Sequence, residues 1–171
     1  MHHTLSVLVE NQPGVLTRVA SLFARRGFNI ESLAVGPTER EDWSKITLRV
    51  DCSQHSIDQV VKQLYKLINV LKVNEMTPDD AIERELMIVR VTAQPKDRAD
   101  IIKLAEVFGG RVCDVGPTSL MFEAVEHPDK LHAFEEILKP YGIKELVRTG
   151  RVAMRKATTE RSRSGRMRVL A

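Results

Sequence analysis

Asn11-Gln12-Pro13-Gly14 joins an alternating apolar run (Leu5, Val7, Val9) to an amphipathic one (Val15, Leu16, Val19, Leu22, Phe23). A turn of these residue types opens a helix against a strand end and leaves the first helical amides without intrahelical acceptors. Gly14 removes a Cβ where a ligand would approach the backbone. The N–H groups of Gly14, Val15 and Leu16 can then take an anion, with the helix dipole adding typically ~0.3 to 1 kcal/mol. Asn11 brings a donor and an acceptor, so it can orient an α-carboxylate or accept a hydrogen bond from an α-ammonium. Asn29-Ile30 offers a second half of such a grip if a neighbouring subunit lays its own strand alongside, since Asn29 is a strand-disfavoured type. Val15, Leu16 and Ile30 would line a small apolar pocket, where a branched aliphatic side chain gains roughly 1.5 to 3 kcal/mol by burial. The same residues are also ordinary turn and helix-cap chemistry, and from residue types alone both readings stand.

The elements that must hold this turn occur twice. Val35-Gly36-Pro37-Thr38 recurs verbatim at Val115-Gly116-Pro117-Thr118, 80 residues later, which indicates an internal duplication. The first copy reads as strand Leu5–Glu10, helix Val15–Arg26 stopped by Gly27, strands Phe28–Val35 and Lys45–Val50, helix Ile57–Ile68 and strand Val70–Met76. Ile57, Val60, Val61, Leu64, Leu67 and Ile68 form one helical stripe. Ile46, Leu48 and Val50 alternate with Lys45, Thr47 and Arg49, as in a sheet covered by helices on one face.

The second copy reads as Leu86–Ala93, Arg98–Phe108, Arg111–Val115, Leu120–Val125, Pro128–Lys139 and Ile143–Val147. Both copies follow β-α-β-β-α-β order, so the expected class is α+β with tandem ferredoxin-like domains. The expected division is 1–77, a linker at 78–83, a second domain at 84–150, and a basic extension at 151–171. A small one-sided sheet favours joining a second copy edge to edge, so a homodimer through the first domain is expected. At the matching turn the second copy has Gln94-Pro95-Lys96-Asp97, with an acid and no glycine. Any anionic ligand therefore belongs to the first copy.

Hydrophobic residues make up 43% of the 171, enough for real cores, and the formal net charge is +3. The basic excess gathers after Gly150 in Arg151, Arg155, Lys156, Arg161, Arg163, Arg166 and Arg168, against Glu160. Cys52 and Cys113 are far apart without CxxC spacing, and no secretory pattern precedes the first strand. They read as reduced packing residues of a cytoplasmic protein. No apolar run approaches the roughly 18 to 20 residues of a membrane span.

Two rival functions are weaker. His2, His3, His55, His127 and His132 are scattered, with no HExxH or P-loop, so no catalytic residues and no metal site are expected. An RNA-binding or other ligand-binding ferredoxin-like module shares the strand order. Base stacking needs aromatics on central strands, however, and aromatics are 5% of the chain.

Leu5-Ser6-Val7-Leu8-Val9-Glu10-Asn11 with Pro13-Gly14-Val15-Leu16, then Leu22-Phe23-Ala24-Arg25-Arg26-Gly27-Phe28-Asn29-Ile30-Glu31-Ser32-Leu33, resembles the ACT domain of the small, regulatory subunit of acetolactate (acetohydroxyacid) synthase. The resemblance continues through Glu83-Arg84-Glu85-Leu86-Met87-Ile88 and Arg148-Thr149-Gly150-Arg151; Arg161 to Ala171 departs from the family pattern. It implies that paired ACT domains bind valine at their interface, with Asn11, Gly14, Val15 and Leu16 from one chain and Asn29 and Ile30 from the other. It also implies activation of a separate catalytic subunit, which holds the thiamine diphosphate, and feedback inhibition in branched-chain amino acid biosynthesis. The second copy, lacking a ligand cradle, is the candidate docking surface for that subunit.

Overall fold

The computed structural model describes residues 2–53 and 56–159; the basic stretch from Arg161 and the position of His55 lie outside them. The chain divides into two compact units within one strand, between Ile82 and Glu83, and the segment from Arg151 belongs to the first unit.

In the first unit, β1 (His2–Glu10), α1 (Val15–Arg26), β2 (Asn29–Pro37), β3 (Trp43–Asp51), α2 (Ile57–Leu64) and β4 (Val70–Met76) form an antiparallel sheet of order β2-β3-β1-β4. Alternation puts Leu5, Val7, Val9, Ile46, Leu48 and Val50 on one face, where they meet Val19, Phe23, Val60 and Leu64 in an apolar core. Helix α1 buries Val15, Val19, Leu22 and Phe23, the spacing of a single helical stripe. It ends on Gly27, whose φ of +69° lets Gly27 N–H donate to Ala24 and Phe28 N–H donate back to Phe23. Those two bonds are a Schellman stop.

The second unit repeats the plan. β5 (Ala81–Thr92), α3 (Arg98–Val107), β6 (Gly110–Val115), β7 (Ser119–Glu126), α4 (Pro128–Leu138) and β8 (Ile143–Arg148) give the order β6-β7-β5-β8. Phe122 and Phe134 meet edge to face and Phe108 stacks on Phe134, within a core that includes Met87, Val89 and Val91. Arg148 bridges Glu135 at 2.7 Å and the buried Glu85 at 3.4 Å. The tandem ferredoxin-like expectation holds.

Several boundaries differ from the sequence expectation. Helix α2 stops at Leu64, not Ile68, because its ladder tightens: Lys66 and Leu67 donate three residues back. Tyr65 turns its hydroxyl to the Val73 backbone, accepting its N–H at 3.0 Å. Leu67 still packs on the core while Ile68 is 65% exposed, so the apolar stripe outlasts the helix. β5 begins at Ala81, within the stretch expected as a linker, and its early residues Ala81, Glu83 and Glu85 are buried in strict alternation. Past Gly150 a further strand, β9 (Val152–Arg155), pairs with β5, and Ala153 packs with Met76 and Ala81.

The face of the first sheet away from the helices is covered at Thr4, Ser6 and Thr47. Cys113 is exposed, which corrects the reading of it as a packing residue: a bulge between Val112 and Asp114 turns it out of the ladder. Cys52 is half-buried just beyond β3, and burial pushes its thiol pKa up. Among the described residues no helix is long and apolar enough to cross a membrane.

Leu48 is fully buried on the central strand β3, so Leu48→Ala should destabilise the first unit by about 2 to 5 kcal/mol. Chemical denaturation followed by circular dichroism measures it.

Candidate functional site

The link between β1 and α1 is a β-turn of type II. Pro13 holds its second position, Gly14 its third with φ +83° and ψ −6°, and Val15 N–H closes it on Gln12 O at 3.3 Å. Positive φ at that position is the reason for glycine. A Cβ built on Gly14 meets nothing within 4 Å, so the space above the turn is open.

Among the described residues, the amides of Gly14, Leu16 and Thr17 have no acceptor. Val15 N–H, expected to be free, is spent on closing the turn. The Val15 side chain is also 5% exposed and part of the core. Val15 thus supports the turn from beneath, with its side chain in the core. Leu16, at 39% exposure, is the apolar side chain the turn presents.

Asn11 is committed more fully than its type suggests. Its backbone N–H donates to Asp42 O at 2.7 Å and its Nδ2 to Glu41 O at 2.9 Å. These bonds tie the turn to the loop between β2 and β3. That loop is itself braced, since Arg40 pairs with the Asp42 carboxylate at 3.2 Å and lies over Trp43 at 3.8 Å. The Arg40 hydrogen bond holds the Asp42 carboxyl below its ordinary pKa. The Arg40–Asp42 pair is therefore fully formed above the usual carboxylate range and is lost only as pH falls through that lowered value. With Nδ2 engaged, Asn11 keeps its Oδ1 for an incoming donor.

The structure brings Asn11, Gly14, Val15 and Leu16 into one turn but places Asn29 and Ile30 elsewhere. Register decides this: Asn29 pairs with Asp51, which pairs with His2, whereas Glu10 pairs with Trp43. Asn29 therefore sits at the far end of the sheet from Asn11, roughly 27 Å along the strands at about 3.3 Å per residue. No single chain can close a pocket from both sets. Asn29 is exposed and Ile30 half-buried at the start of β2, an edge strand.

The second unit handles the same junction differently. Asp97 precedes α3 with φ −98°, an ordinary right-handed conformation. The Arg98 guanidinium donates to Gly116 O at 2.7 Å and to Pro117 O at 2.5 Å. There an arginine ties turn to loop where Asn11 does so in the first unit.

Sequence reasoning missed the Glu41 and Asp42 carbonyls, because a backbone acceptor carries no residue-type signal. It also missed Asn69, whose Nδ2 donates to Glu10 Oε2 at 2.5 Å and whose Oδ1 accepts from Arg18 Nη1 at 3.0 Å. An asparagine before a strand reads only as a turn residue.

Comparison with known proteins agrees with this architecture. A family model described as an AHAS small subunit-like ACT domain matches residues 5–72, and one described as the small subunit of acetolactate synthase matches residues 84–157. The chain is 52% identical over 154 residues to a probable acetolactate synthase small subunit of Archaeoglobus fulgidus, covering 90% of this chain and 96% of that one. It is 49% identical over 152 residues to the acetolactate synthase small subunit of Mycolicibacterium smegmatis, covering 89% of each. The crystal structure of the acetolactate synthase small subunit from Thermotoga maritima is similar with a TM-score of 0.84 and 38% identity, covering 91% of this chain and 98% of that one. With its tandem βαββαβ units and the left-handed Gly14 turn, the chain belongs to the acetolactate synthase small-subunit family.

Proposed function

We propose that this chain is a non-catalytic regulatory subunit. It binds valine between the first units of two copies and thereby tunes a separate, thiamine-diphosphate-dependent acetolactate synthase catalytic subunit in the cytoplasm. The observation that carries this reading is the Gly14 turn, with its open space and its unpaired amides at Gly14 and Leu16. An α-carboxylate satisfies those amides with charge-assisted bonds. Asn11 Oδ1 accepts from the α-ammonium, and Leu16 of one copy with Ile30 of the other encloses the side chain.

Asn29 belongs to the partner in this arrangement, because register keeps it far from its own Gly14. Two copies joined edge to edge through β2, running antiparallel, bring each Asn29 toward the other copy's turn. The subunit needs no cofactor of its own. Valine must favour one arrangement of the paired units over another, with a coupling of typically ~1 to 3 kcal/mol, and that arrangement activates the catalytic subunit less. Feedback inhibition of branched-chain amino acid biosynthesis follows.

Ring burial speaks against the RNA-binding alternative. Phe23, Phe28, Phe122 and Phe134 are buried in the cores, and Trp43 is covered by Arg40, so these rings are not available to stack on bases.

Gly14→Asp places a carboxylate in the anion cradle. Its added Cβ clashes with nothing, and the left-handed backbone costs roughly 1 to 2 kcal/mol, so the folded dimer should persist while valine binding, read by calorimetry, disappears. Asn29→Ala should leave activation of the catalytic subunit intact and raise the valine concentration needed for half-inhibition about tenfold, the effect of losing one hydrogen bond to a charged group. Equal valine sensitivity in an activity assay would remove Asn29 from the site.

A further inference from the structure

Helix α1 carries a second surface that the effector cradle does not use. Val15, Val19, Leu22 and Phe23 face the core, so helical periodicity sends Leu16 and Ala20 to one flank and Arg18, Ser21 and Arg25 to the other. The second flank borders an open groove of about 640 Å³ lined by Thr17, Arg18, Ser21, Ala24, Arg25 and Leu67. Leu67 and Asn69 lead into β4, the edge strand opposite β2. The groove thus stays open when two copies join through β2.

Its lining is basic, with Arg18 and Arg25 and no acid among these six residues. Helix α1 contains no carboxylate, and among the described residues neither Arg18 nor Arg25 has an acidic partner within ion-pair distance. By contrast, Arg40, Arg49, Arg90, Arg111 and Arg148 each have one. Arg25 suits the negative end of the helix dipole, but Arg18 lies in the half where the dipole opposes it. Arg18 is nonetheless held: its Nη1 donates to Asn69 Oδ1, and Asn69, 7% exposed, is fixed in turn by Glu10. The amide thereby orients the guanidinium, with the Glu10 carboxylate one hydrogen bond further off and not in direct contact, and leaves its other donors uncommitted. A pre-oriented arginine beside hydroxyls and apolar surface has the composition of an interface anchor.

We propose that this flank of α1 docks an acidic segment of the catalytic subunit. The proposal rests on the reading that the chain regulates such a subunit, and it puts the contact on the first unit. Helix α3 of the second unit carries Asp100 and Glu106 among its residues and offers no comparable unbalanced flank. The attraction is one of opposite charges focused by a groove, so it speeds encounter and weakens with salt.

The test uses the full chain and the catalytic subunit expressed separately, with binding followed by calorimetry or interferometry across a salt series. Arg18→Glu combined with Arg25→Glu should weaken binding about tenfold or more at low salt and flatten the salt dependence. Valine affinity of the chain and its dimer, read by sedimentation, should not change. Should the reversed pair fold poorly, Arg18→Gln with Arg25→Gln carries the same test, with a loss of about three- to tenfold. Unchanged affinity and salt slope in a folded variant overturns the docking site. So does a loss of affinity that accompanies loss of the dimer, which would assign these arginines to structure. A wild-type chain that neither binds nor activates the catalytic subunit overturns the regulatory reading itself, and is told apart by failing before any substitution is made.

Discussion

The β1–α1 turn adopts a backbone that a residue with a side chain enters only at a cost. Gly14 at φ +83° lets Val15 close the turn and leaves the next amides facing open space. Were the turn right-handed, as at Asp97 of the second unit, those amides would be differently disposed and an acidic cap would already stand near them. The difference between the two units is therefore a difference of one backbone conformation, carried by one glycine.

That turn does not hold itself. The loop of Glu41 and Asp42 receives both donors of Asn11, and Arg40 stiffens the loop by gripping Asp42 and covering Trp43. In the second unit Arg98 performs the same tie with a long side chain. Tying the first turn to the opposite loop is thus a shared requirement of the βαββαβ plan, and only the first unit meets it with a residue short enough to leave the approach clear.

Much of the scaffold was legible from residue types. Strand alternation, the stripe of α1 and its glycine stop agree with one another, so β-α-β-β-α-β order emerged twice from the chain. The end of α2 was not legible, because Leu67 keeps packing after the helical ladder has tightened. The start of β5 was hidden by Glu83 and Glu85, acids that are buried in this strand, and β9 is too short to show a period. At the turn, Gly14 declared its backbone need, whereas the true employment of Asn11 and Val15 depends on carbonyls and packing that residue types do not reveal. The opposite placement of Asn29 follows from register, which spacing along the chain cannot express.

Register also makes the response to effector a matter of dilution. In the proposed arrangement the pocket's halves lie at opposite ends of each sheet, so it would form only where two chains meet, and ligand and assembly would stabilise each other by mass action. Under that proposal apparent affinity would rise with subunit concentration, and scarcity of the chain would blunt any feedback even with every binding residue intact.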